Sequence, residues 1–494
     1  MGERKALKLN YRIISLILAV ALVLGVAAVL IFYRRGYYPS FAVTGDVKNT
    51  INIDSSCDFE TCAMQRDGRN YTCFSLSDII NEASPYSANN TIVLRGSDGL
   101  IAAVGSDKLD GMYITFTPEN GWEMINIYHP ASSNIKQLSE VWVVASNEVA
   151  DISVNIITAD QNAISYTPGQ FFMSETAFAP VFQGRSEKAG EIGRFDVAVY
   201  TQQRYKKILD IVPDASDALV MGTKGQYVYD ISPGRLIMIG NDFYYQFSDG
   251  KTTMENVRGI LINPPAASNM DAYFEAVNNL SAGQRVMVIL MDGFGYHQYT
   301  YAAENKYAPY LGSFDPRQCT SVYKPVTHAG TAAILTGQPP SVNGIYQRGM
   351  MDLKSTDIFE YVAKVGKTSV YIEGDIKLLN TSIKPTLNAD SNNNGFTDDE
   401  VFESATKSIS SGADFIFAHF HGIDDMGHNY GDTDVRTMEK IKEIDAYIAA
   451  LAKNFSGRII ITADHGMHAT ADGGSHGLFH HEDMIVPYFS YLND

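Results

Sequence analysis

Near the C-terminus of the chain, acidic and imidazole side chains directly follow an apolar run. Residues 459–461 have the pattern of a short buried strand, and Asp464 and His465 stand where such a strand would end. Eleven residues after His465, His476 lies in a glycine-rich loop whose backbone can approach a ligand closely. Carboxylate and imidazole groups together are typical ligands of borderline divalent metals such as zinc. On its own, however, the Asp-His pair is equally typical of an ordinary turn at a strand end.

Three other segments carry polar side chains in comparable positions. Asp292 directly follows a second apolar run, and Asp424 and His428 follow a third at a spacing that allows both to bind one ion. Thr327 stands at the start of a run of small residues that is typical of a helix and that ends at Gly337. Each segment alone indicates little. Their combination predicts a metal centre assembled from several strand ends and one helix N-terminus.

The order of these motifs resembles the alkaline phosphatase superfamily, and within it the type I phosphodiesterase / nucleotide pyrophosphatase family. The motifs are Asp-Gly, a threonine nine residues before Thr-Gly, Asp-x-x-Gly-His, Asp-His-Gly-Met and Gly-x-His-Gly, spread from about residue 285 to the C-terminus. The resemblance implies two divalent ions, zinc or alternatively manganese. One ion would be held by Asp424, His428 and His476, and the other by Asp292, Asp464, His465 and Thr327.

Thr327 is the nucleophile that the resemblance implies. A threonine hydroxyl is too weakly acidic to attack phosphorus at neutral pH unless a metal ion or a base activates it. The backbone N–H groups of His328 and Ala329, at the predicted helix start, are suited to hold a phosphoryl oxygen. The expected reaction is hydrolysis of a phosphodiester, or of a phosphonate, through a phosphothreonine intermediate.

The side chains that would contact the phosphate are less well defined. Nucleotide pyrophosphatases carry an asparagine three residues after the nucleophile, whereas this chain has Gly330. His328 and Arg348 are the candidates for that contact. Arg348 is also consistent with an ordinary solvated side chain after a turn, so both interpretations stay open.

Alternatives also remain for one ligand and for the function. His480 and His481 compete with His476 as a metal ligand, but the glycine-flanked loop favours His476. An envelope phosphoryl-group transferase would pass through the same covalent threonine and differ only in the final acceptor. A non-catalytic binding or assembly protein with a relic site is the third class, and the complete ligand set argues against it.

The N-terminal segment predicts a membrane anchor. Residues 13–32 contain no charge and are long enough to cross ~30 Å of hydrocarbon. Four basic residues precede this segment and two follow it, so the positive-inside rule leaves the N-terminus in the cytoplasm and the rest of the chain outside. A cleaved signal peptide is the alternative, but the apolar run is long for one. Residues 1–36 are therefore expected to be a cytoplasmic tip and a single transmembrane helix in the cell membrane.

The chain is strongly acidic, with a net charge of −18. Because the first 35 residues are basic, the predicted ectodomain is more acidic still. Such a surface repels long polyanions and argues against a nucleic-acid polymer as a partner. Small phosphorylated or phosphonate substrates are compatible with it, because bound metal ions would reverse the local field.

At 494 residues the chain is too long for one ordinary domain. Residues 266–494 alternate apolar strands with helical stretches, which predicts an α/β, alkaline phosphatase-like fold with a mostly parallel sheet and helices on both faces. Residues 41–147 and 148–265 are β-rich and weakly similar to each other, as in an internal duplication. The first of these regions faintly resembles molybdopterin-binding domains of oxidoreductases. No cysteine has a convincing ligand position there, so no molybdenum cofactor is expected.

The loop from Asp390 to Asp398 has two interpretations. Its oxygen-bearing side chains alternate as in a calcium loop, but the twelfth position is Val401 instead of a glutamate. The competing interpretation is a helix that begins here, with Thr397 as N-cap and Glu400 completing a capping box. The capping interpretation is favoured, and calcium binding is kept as the alternative.

The chain contains four cysteines: Cys57, Cys62, Cys73 and Cys319. Outside the membrane a disulfide is permitted, but the sequence does not determine which cysteines would pair. The spacings fit no common zinc-binding pattern.

Overall fold

The computed structural model describes residues 39–54, 57–66, 68–158, 161–190 and 193–493. These residues form two compact units, and the division along the chain falls after Val149. No helix within the described ranges is both long and apolar enough to cross a membrane. The predicted transmembrane segment, residues 13–32, lies outside the described residues.

The first unit contains two β-sheets and one α-helix in its described residues. Its elements are β1 (Phe41–Gly45), β2 (Ile51–Ile53), β3 (Thr61–Arg66), β4 (Arg69–Ser75), α1 (Leu76–Ala83), β5 (Asn90–Gly96), β6 (Ile101–Gly105), β7 (Met112–Thr117), β8 (Gly121–Asn126) and β9 (Leu138–Ala145), with 3₁₀ turns at Ser106–Lys108 and Ala131–Ser133. The sheets have the orders β2-β1-β9-β5-β6 and β3-β4-β7-β8. Helix α1 begins where the Ser75 hydroxyl accepts the N–H of Asp78, and its apolar face is buried.

The second unit begins with a β-rich region. Its elements are β10 (Val154–Ile157), β11 (Ala163–Tyr166), α2 (Pro168–Met173), β12 (Ala177–Gly190), β13 (Gly193–Lys207), α3 (Ile208–Ile211), β14 (Ala218–Gly222), β15 (Tyr227–Asp230), β16 (Arg235–Ile239), β17 (Asp242–Gln246), β18 (Thr253–Glu255) and β19 (Val257–Ile262). They form two sheets, of orders β11-β10-β19-β14-β15 and β12-β13-β16-β17-β18.

One sheet of each β-rich region has the same topology. In the sheets β2-β1-β9-β5-β6 and β11-β10-β19-β14-β15, the first strand along the chain pairs in parallel with the last, β1 with β9 and β10 with β19, and all other pairings are antiparallel. Both last strands are the apolar runs at which the weak sequence similarity ends. A shared order and shared directions are what a duplication would produce, while the duplication itself stays a prediction.

The rest of the second unit is an α/β region. Its elements are β20 (Ala267–Ser268), α4 (Asp271–Ser281), β21 (Val286–Met291), α5 (Tyr296–Glu304), a 3₁₀ turn (Leu311–Ser313), β22 (Arg317–Thr320), α6 (Thr327–Thr336), α7 (Pro340–Asn343), α8 (Ile358–Lys364), β23 (Ser369–Glu373), β24 (Thr386–Leu387), α9 (Asp398–Ser410), β25 (Phe415–Phe420), α10 (Gly422–Tyr430), α11 (Val435–Asn454), β26 (Gly457–Thr462), β27 (His468–Thr470), β28 (Gly473–Ser475), α12 (His481–Met484) and β29 (Ile485–Asn493). Eight strands form one sheet, β20-β22-β29-β26-β21-β25-β23-β24, in which β29 alone runs antiparallel to its neighbours. The predicted α/β class and mostly parallel sheet are confirmed.

Strands β21, β25 and β26 lie side by side in this sheet and carry the site. Every residue of β21 and β25 is buried, as expected of parallel strands without a solvated face. Parallel pairing sets Met291 opposite Phe420 and Leu290 opposite Thr462. The residues that follow the three strands therefore emerge together at one edge of the sheet.

Helix α11 covers most of the range that the apolar spacing predicts, residues 435–455. The Asp434 carboxylate accepts the N–H of Arg436 and caps the helix start, and the stripe from Met438 to Leu451 is buried as expected. The apolar spacing from Val435 onward predicts a single buried stripe, but the side chain of Val435 is exposed. The reason is its position at the first turn, where the helix has not yet reached the core.

The loop from Asp390 to Asp398 is an Asn/Gly turn closed by its own side chains. Both carboxylate oxygens of Asp390 accept backbone N–H groups, from Asn394 and Gly395. Helix α9 does begin at Asp398, but the capping-box prediction is wrong: Thr397 makes no side-chain capping bond, and Glu400 accepts bonds from Ser391 instead.

Asp398 has a different role from the calcium ligand considered above. Its carboxylate is buried and accepts the backbone N–H groups of His421 and Gly422, next to β25. Calcium binding by the remaining oxygens of the loop stays a prediction.

All four cysteines are free thiols in the structure. Cys62 and Cys73 lie directly opposite each other on β3 and β4. Burial, together with the neighbouring Cys62, raises the pKa of the Cys73 thiol to about 11. Cys319 is buried beside Thr462 in the α/β sheet. The fold therefore brings Cys62 and Cys73 together, whereas the pairing of cysteines in the cell stays open.

Replacement of Asp445 by alanine should destabilise the second unit. Its buried carboxylate accepts the N–H groups of Tyr310 at 2.9 Å and Leu311 at 2.8 Å. Asp445→Ala should lower the free energy of unfolding by about 2–4 kcal/mol, because two N–H groups lose a charged partner. Urea denaturation measures this, with the exposed Glu439→Ala on the same helix as control. Equal midpoints for both variants would contradict the assignment.

Candidate metal centre

The centre is assembled from residues that follow three neighbouring strands. Asp292 follows β21, Asp424 lies in helix α10 after β25, and Asp464 and His465 follow β26. The turn at Gly293 requires glycine, because its φ is +68° and a Cβ there would lie 2.7 Å from an Asp424 oxygen. The sheet edge and this turn together bring three carboxylates into one small volume.

Asp424, His428 and His476 form the first cluster, as the family resemblance implied. The Nε2 atoms of His428 and His476 lie 3.3 Å and 3.7 Å from the Asp424 carboxylate. Their Nδ1 atoms face the carbonyl oxygens of Gly474 at 3.1 Å and Pro325 at 2.9 Å. Donation from Nδ1 to a carbonyl leaves the Nε2 lone pair free for a metal ion, which is the usual arrangement of ligand histidines.

Asp292, Asp464, His465 and Thr327 form the second cluster. His465 Nε2 lies 3.4 Å from Asp292 Oδ1, 3.4 Å from Asp464 Oδ2 and 3.4 Å from the Thr327 hydroxyl. The same hydroxyl is 3.5 Å from Asp292 Oδ1. His465 Nδ1 faces the Gly466 carbonyl oxygen at 2.9 Å, so its Nε2 lone pair is also directed into the cluster. Two carboxylates, one imidazole and one hydroxyl thus converge.

The residues present fit a pair of divalent ions. Three buried atoms of the two clusters have no hydrogen-bond partner among the described residues: Asp424 Oδ1, His428 Nε2 and Asp464 Oδ2. Burying such groups without a partner costs free energy, and a cation between them would remove that cost. Imidazole nitrogens with carboxylate oxygens suit zinc or manganese.

The pKa values of His476 and Asp464 also favour the binding of divalent ions. The pKa of His476 is lowered to about 4, mainly by burial and secondly by the nearby His465 ring. Its ring is therefore neutral at pH 7. Burial and the Asp292 carboxylate raise the pKa of Asp464 well above its ordinary value. A ligand imidazole must be neutral to bind a metal, and a divalent ion would relieve the repulsion between the two carboxylates.

Thr327 is the first residue of helix α6, and Gly330 sets how closely that helix approaches the metal centre. A Cβ at position 330 would lie 2.6 Å from Cβ of Asp464 and 2.7 Å from its carbonyl carbon. Asp464 is held in turn by Asn269, whose amide donates to its carbonyl oxygen at 3.3 Å. The asparagine of nucleotide pyrophosphatases could not be accommodated here without a shift of the helix.

The other predicted candidates lie around the two clusters. His328 is half-buried. Burial is the main cause that lowers the pKa of its ring, and the Arg348 guanidinium is the second. Arg348 is exposed. The His480 ring packs against His468 at a centroid distance of 4.8 Å, and His481 begins helix α12. Neither His480 nor His481 belongs to the metal-binding groups among the described residues.

Three functional candidates were missed by the sequence analysis: His419, His421 and Glu373. Both histidines contact Asp292 on the side away from Thr327, and Glu373 contacts both histidines. Burial and the His421 ring would lower the pKa of His419, but Glu373 and Asp292 outweigh them and raise it to about 9. The signal that could have identified them is the His-x-His spacing at the end of β25, which directs both rings to one side of the strand.

The comparisons with known proteins agree with the motifs. Residues 382–487 match the family model of type I phosphodiesterase / nucleotide pyrophosphatase. This match contains five of the proposed ligands: Asp424, His428, Asp464, His465 and His476. The predicted resemblance to this family is confirmed for residues 382–487.

Similarity to solved structures is weak. Phosphonoacetate hydrolase from Sinorhizobium meliloti 1021 in complex with phosphonoformate is 19% identical, with 37% of this chain and 57% of that chain covered and a TM-score of 0.32. An inactive variant of murine ectonucleotide pyrophosphatase / phosphodiesterase 5 in complex with AMP is 19% identical, with 38% and 58% covered and a TM-score of 0.33. The chain thus matches less than two thirds of the length of either protein. No curated protein matches the chain.

Replacement of Gly330 by alanine tests the close approach of α6 to Asp464. Helix propensity alone would make Gly330→Ala more stable by about 1 kcal/mol. We expect the opposite, a loss of about 1–3 kcal/mol, because the new methyl group has no space. Thermal unfolding measures the sign. Gly312→Ala is the control, since its Cβ would meet nothing nearer than a side-chain carbon of Ala303 at 3.3 Å. A Gly330→Ala protein more stable than wild type would contradict the packing.

Proposed function

We propose that this chain is a metal-dependent phosphoesterase that hydrolyses phosphodiesters, or related phosphonates, with Thr327 as the nucleophile. The observation that carries the proposal is the position of the Thr327 hydroxyl, at a helix start and within 3.5 Å of Asp292 and His465. The family match over residues 382–487 supports the same class of reaction. Zinc is the proposed metal, with manganese as the alternative.

The first half of the reaction uses Thr327. Its Oγ attacks the phosphorus atom, loses its proton, and displaces the ester oxygen of the substrate, which leaves as an alcohol once protonated. Bound at the two clusters, divalent ions would supply Lewis acidity that makes the hydroxyl more acidic and the leaving oxygen more stable. The N–H groups of His328 and Ala329 at the start of α6 would bind a phosphoryl oxygen.

The second half releases the phosphoryl group from Thr327. A water molecule attacks the phosphothreonine, the Thr327 Oγ–phosphorus bond breaks, and the hydroxyl regains a proton. A transferase would differ only in using another hydroxyl in place of water.

A cavity next to the centre suits the rest of a small anionic substrate. It has a volume of about 240 Å³, and its wall includes Tyr323 and Lys324 before the nucleophile and Gly477 after His476. Arg258 and Asp151 also line it, so two cations and one carboxylate face the cavity in a strongly acidic protein. A small pocket with a net positive wall favours a small phosphorylated or phosphonate substrate over a nucleic-acid polymer.

The proposed location is the outer face of the cell membrane. It is supported by the sequence alone, through the uncharged residues 13–32 and the basic residues before them. The N-terminus would be cytoplasmic, with the phosphoesterase region outside.

Replacement of Thr327 by alanine should abolish turnover and leave the protein otherwise intact. Removal of a nucleophile typically costs a thousandfold or more, so hydrolysis of a p-nitrophenyl phosphodiester should fall at least by roughly that factor. Metal content and melting temperature should stay close to wild type, because the remaining ligands are unchanged.

Thr331→Ala is the matched control. Thr331 is buried one turn further along the same helix, and its hydroxyl has no hydrogen-bond partner among the described residues. This variant should keep its phosphodiester turnover. Hydrolysis of the phosphodiester and of a p-nitrophenyl phosphomonoester is measured for wild type, Thr327→Ala and Thr331→Ala. Full activity of Thr327→Ala would refute the proposed nucleophile.

A further inference from the structure

Asp292, His419 and His421 form a third group whose ligand atoms lie within 4.8 Å of one another. The two oxygens of Asp292 face different neighbours. Oδ1 faces His465 and Thr327, whereas Oδ2 lies 3.4 Å from His419 Nε2 and 3.2 Å from His421 Nδ1. We propose that Asp292, His419 and His421 bind a third divalent metal ion and that Asp292 is shared between this ion and the second cluster. The two-metal reaction proposed above does not require such a site.

Glu373 determines which nitrogen of each histidine is available. Its Oε2 lies 3.0 Å from His419 Nδ1 and 3.0 Å from His421 Nε2, and its Oε1 accepts the hydroxyl of Tyr371. A carboxylate in this position accepts an N–H from each ring. The nitrogen that remains on each ring, Nε2 of His419 and Nδ1 of His421, is the one that faces Asp292. A metal-binding histidine commonly donates its other N–H to a carboxylate in this way.

Without an ion, a proton on one ring can join these three atoms, and a divalent ion would replace that proton and bind all three. With neutral rings, two nitrogen lone pairs and the Asp292 Oδ2 oxygen converge without a proton to join them, and His419 Nε2 has no hydrogen-bond partner among the described residues. With both rings protonated, two positive charges lie at a centroid distance of 3.8 Å, and His419 is completely buried. One divalent ion carries the charge of two protons and bonds to all three atoms.

The surroundings hold the two rings in place. His419 is the fifth residue of β25, and His421 directly follows that strand. The backbone N–H of His421 donates to the buried Asp398 carboxylate at 3.0 Å, which fixes the chain where it leaves the strand. Because β25 holds His419 and the Asp398 carboxylate holds the backbone at His421, the site is preorganised and does not depend on a flexible loop.

The donor set defines the class of ion. Two imidazole nitrogens and one carboxylate oxygen suit zinc, manganese or ferrous iron, whereas magnesium and calcium prefer oxygen ligands. An ion on Oδ2 of Asp292 would withdraw negative charge from the carboxylate that also faces Thr327. The third site would thereby tune the second cluster without contacting the substrate.

The direct test is a crystal structure of the unaltered protein. The crystals are grown with zinc, and the diffraction data are collected at the zinc absorption edge. We expect an anomalous peak between Asp292 Oδ2, His419 and His421, separate from the peaks at the other two clusters. Metal analysis in solution should give one ion per chain fewer for His419→Gln than for wild type. His297→Gln is the matched control, because His297 also pairs with a carboxylate, Asp432 at 2.8 Å, but lies outside the three groups.

Two results would overturn the proposal of a third metal site. One is a map with peaks at the first two clusters and none between the two histidines, which would leave the two-metal centre intact. The other is an equal metal content in wild type, His419→Gln and His297→Gln. The map is measured on the unaltered protein, so the test does not depend on whether a variant folds.

Discussion

Four carboxylates are buried at one edge of the α/β sheet: Asp292, Asp424, Asp464 and Glu373. Removing a carboxylate from water costs several kcal/mol unless positive charge or hydrogen bonds compensate for it. Imidazole rings, which can be neutral ligands or cations, surround these groups. Divalent ions are the simplest way to balance the charge, and the tautomers that Gly474, Pro325 and Gly466 impose on the histidines leave lone pairs for them.

The β-rich region of the second unit supports the loop that carries His476. The Phe479 ring, three residues further on, packs directly on Gly259 of β19, where no side chain would fit. The amide of Asn155 on β10 donates to the Phe479 carbonyl oxygen at 3.3 Å. His476 is therefore positioned from two directions, by Pro325 before the nucleophile and by strands of the β-rich region.

Much of the centre could be predicted because its ligands follow strongly apolar runs. Asp292, Asp464 and His465 stand at the ends of buried strands, and a pattern that ends in polar residues is visible in the sequence. Glu373 could not be found in this way, because its partners lie 46 and 48 residues away and meet it only through the pairing of β23 with β25. The capping box at Thr397 failed for a related reason. Glu400, which was expected to complete it, binds Ser391 in the preceding turn instead.

The proposed reaction depends most directly on a covalent bond to Thr327. Protein mixed with excess phosphodiester, quenched in acid within a single turnover and digested, should yield a phosphorylated peptide that contains Thr327, and Thr327→Ala should yield none. Turnover of the diester at the same rate with no adduct on that peptide, at any quench time, would contradict a threonine nucleophile. Water would then be attacking the phosphorus atom directly.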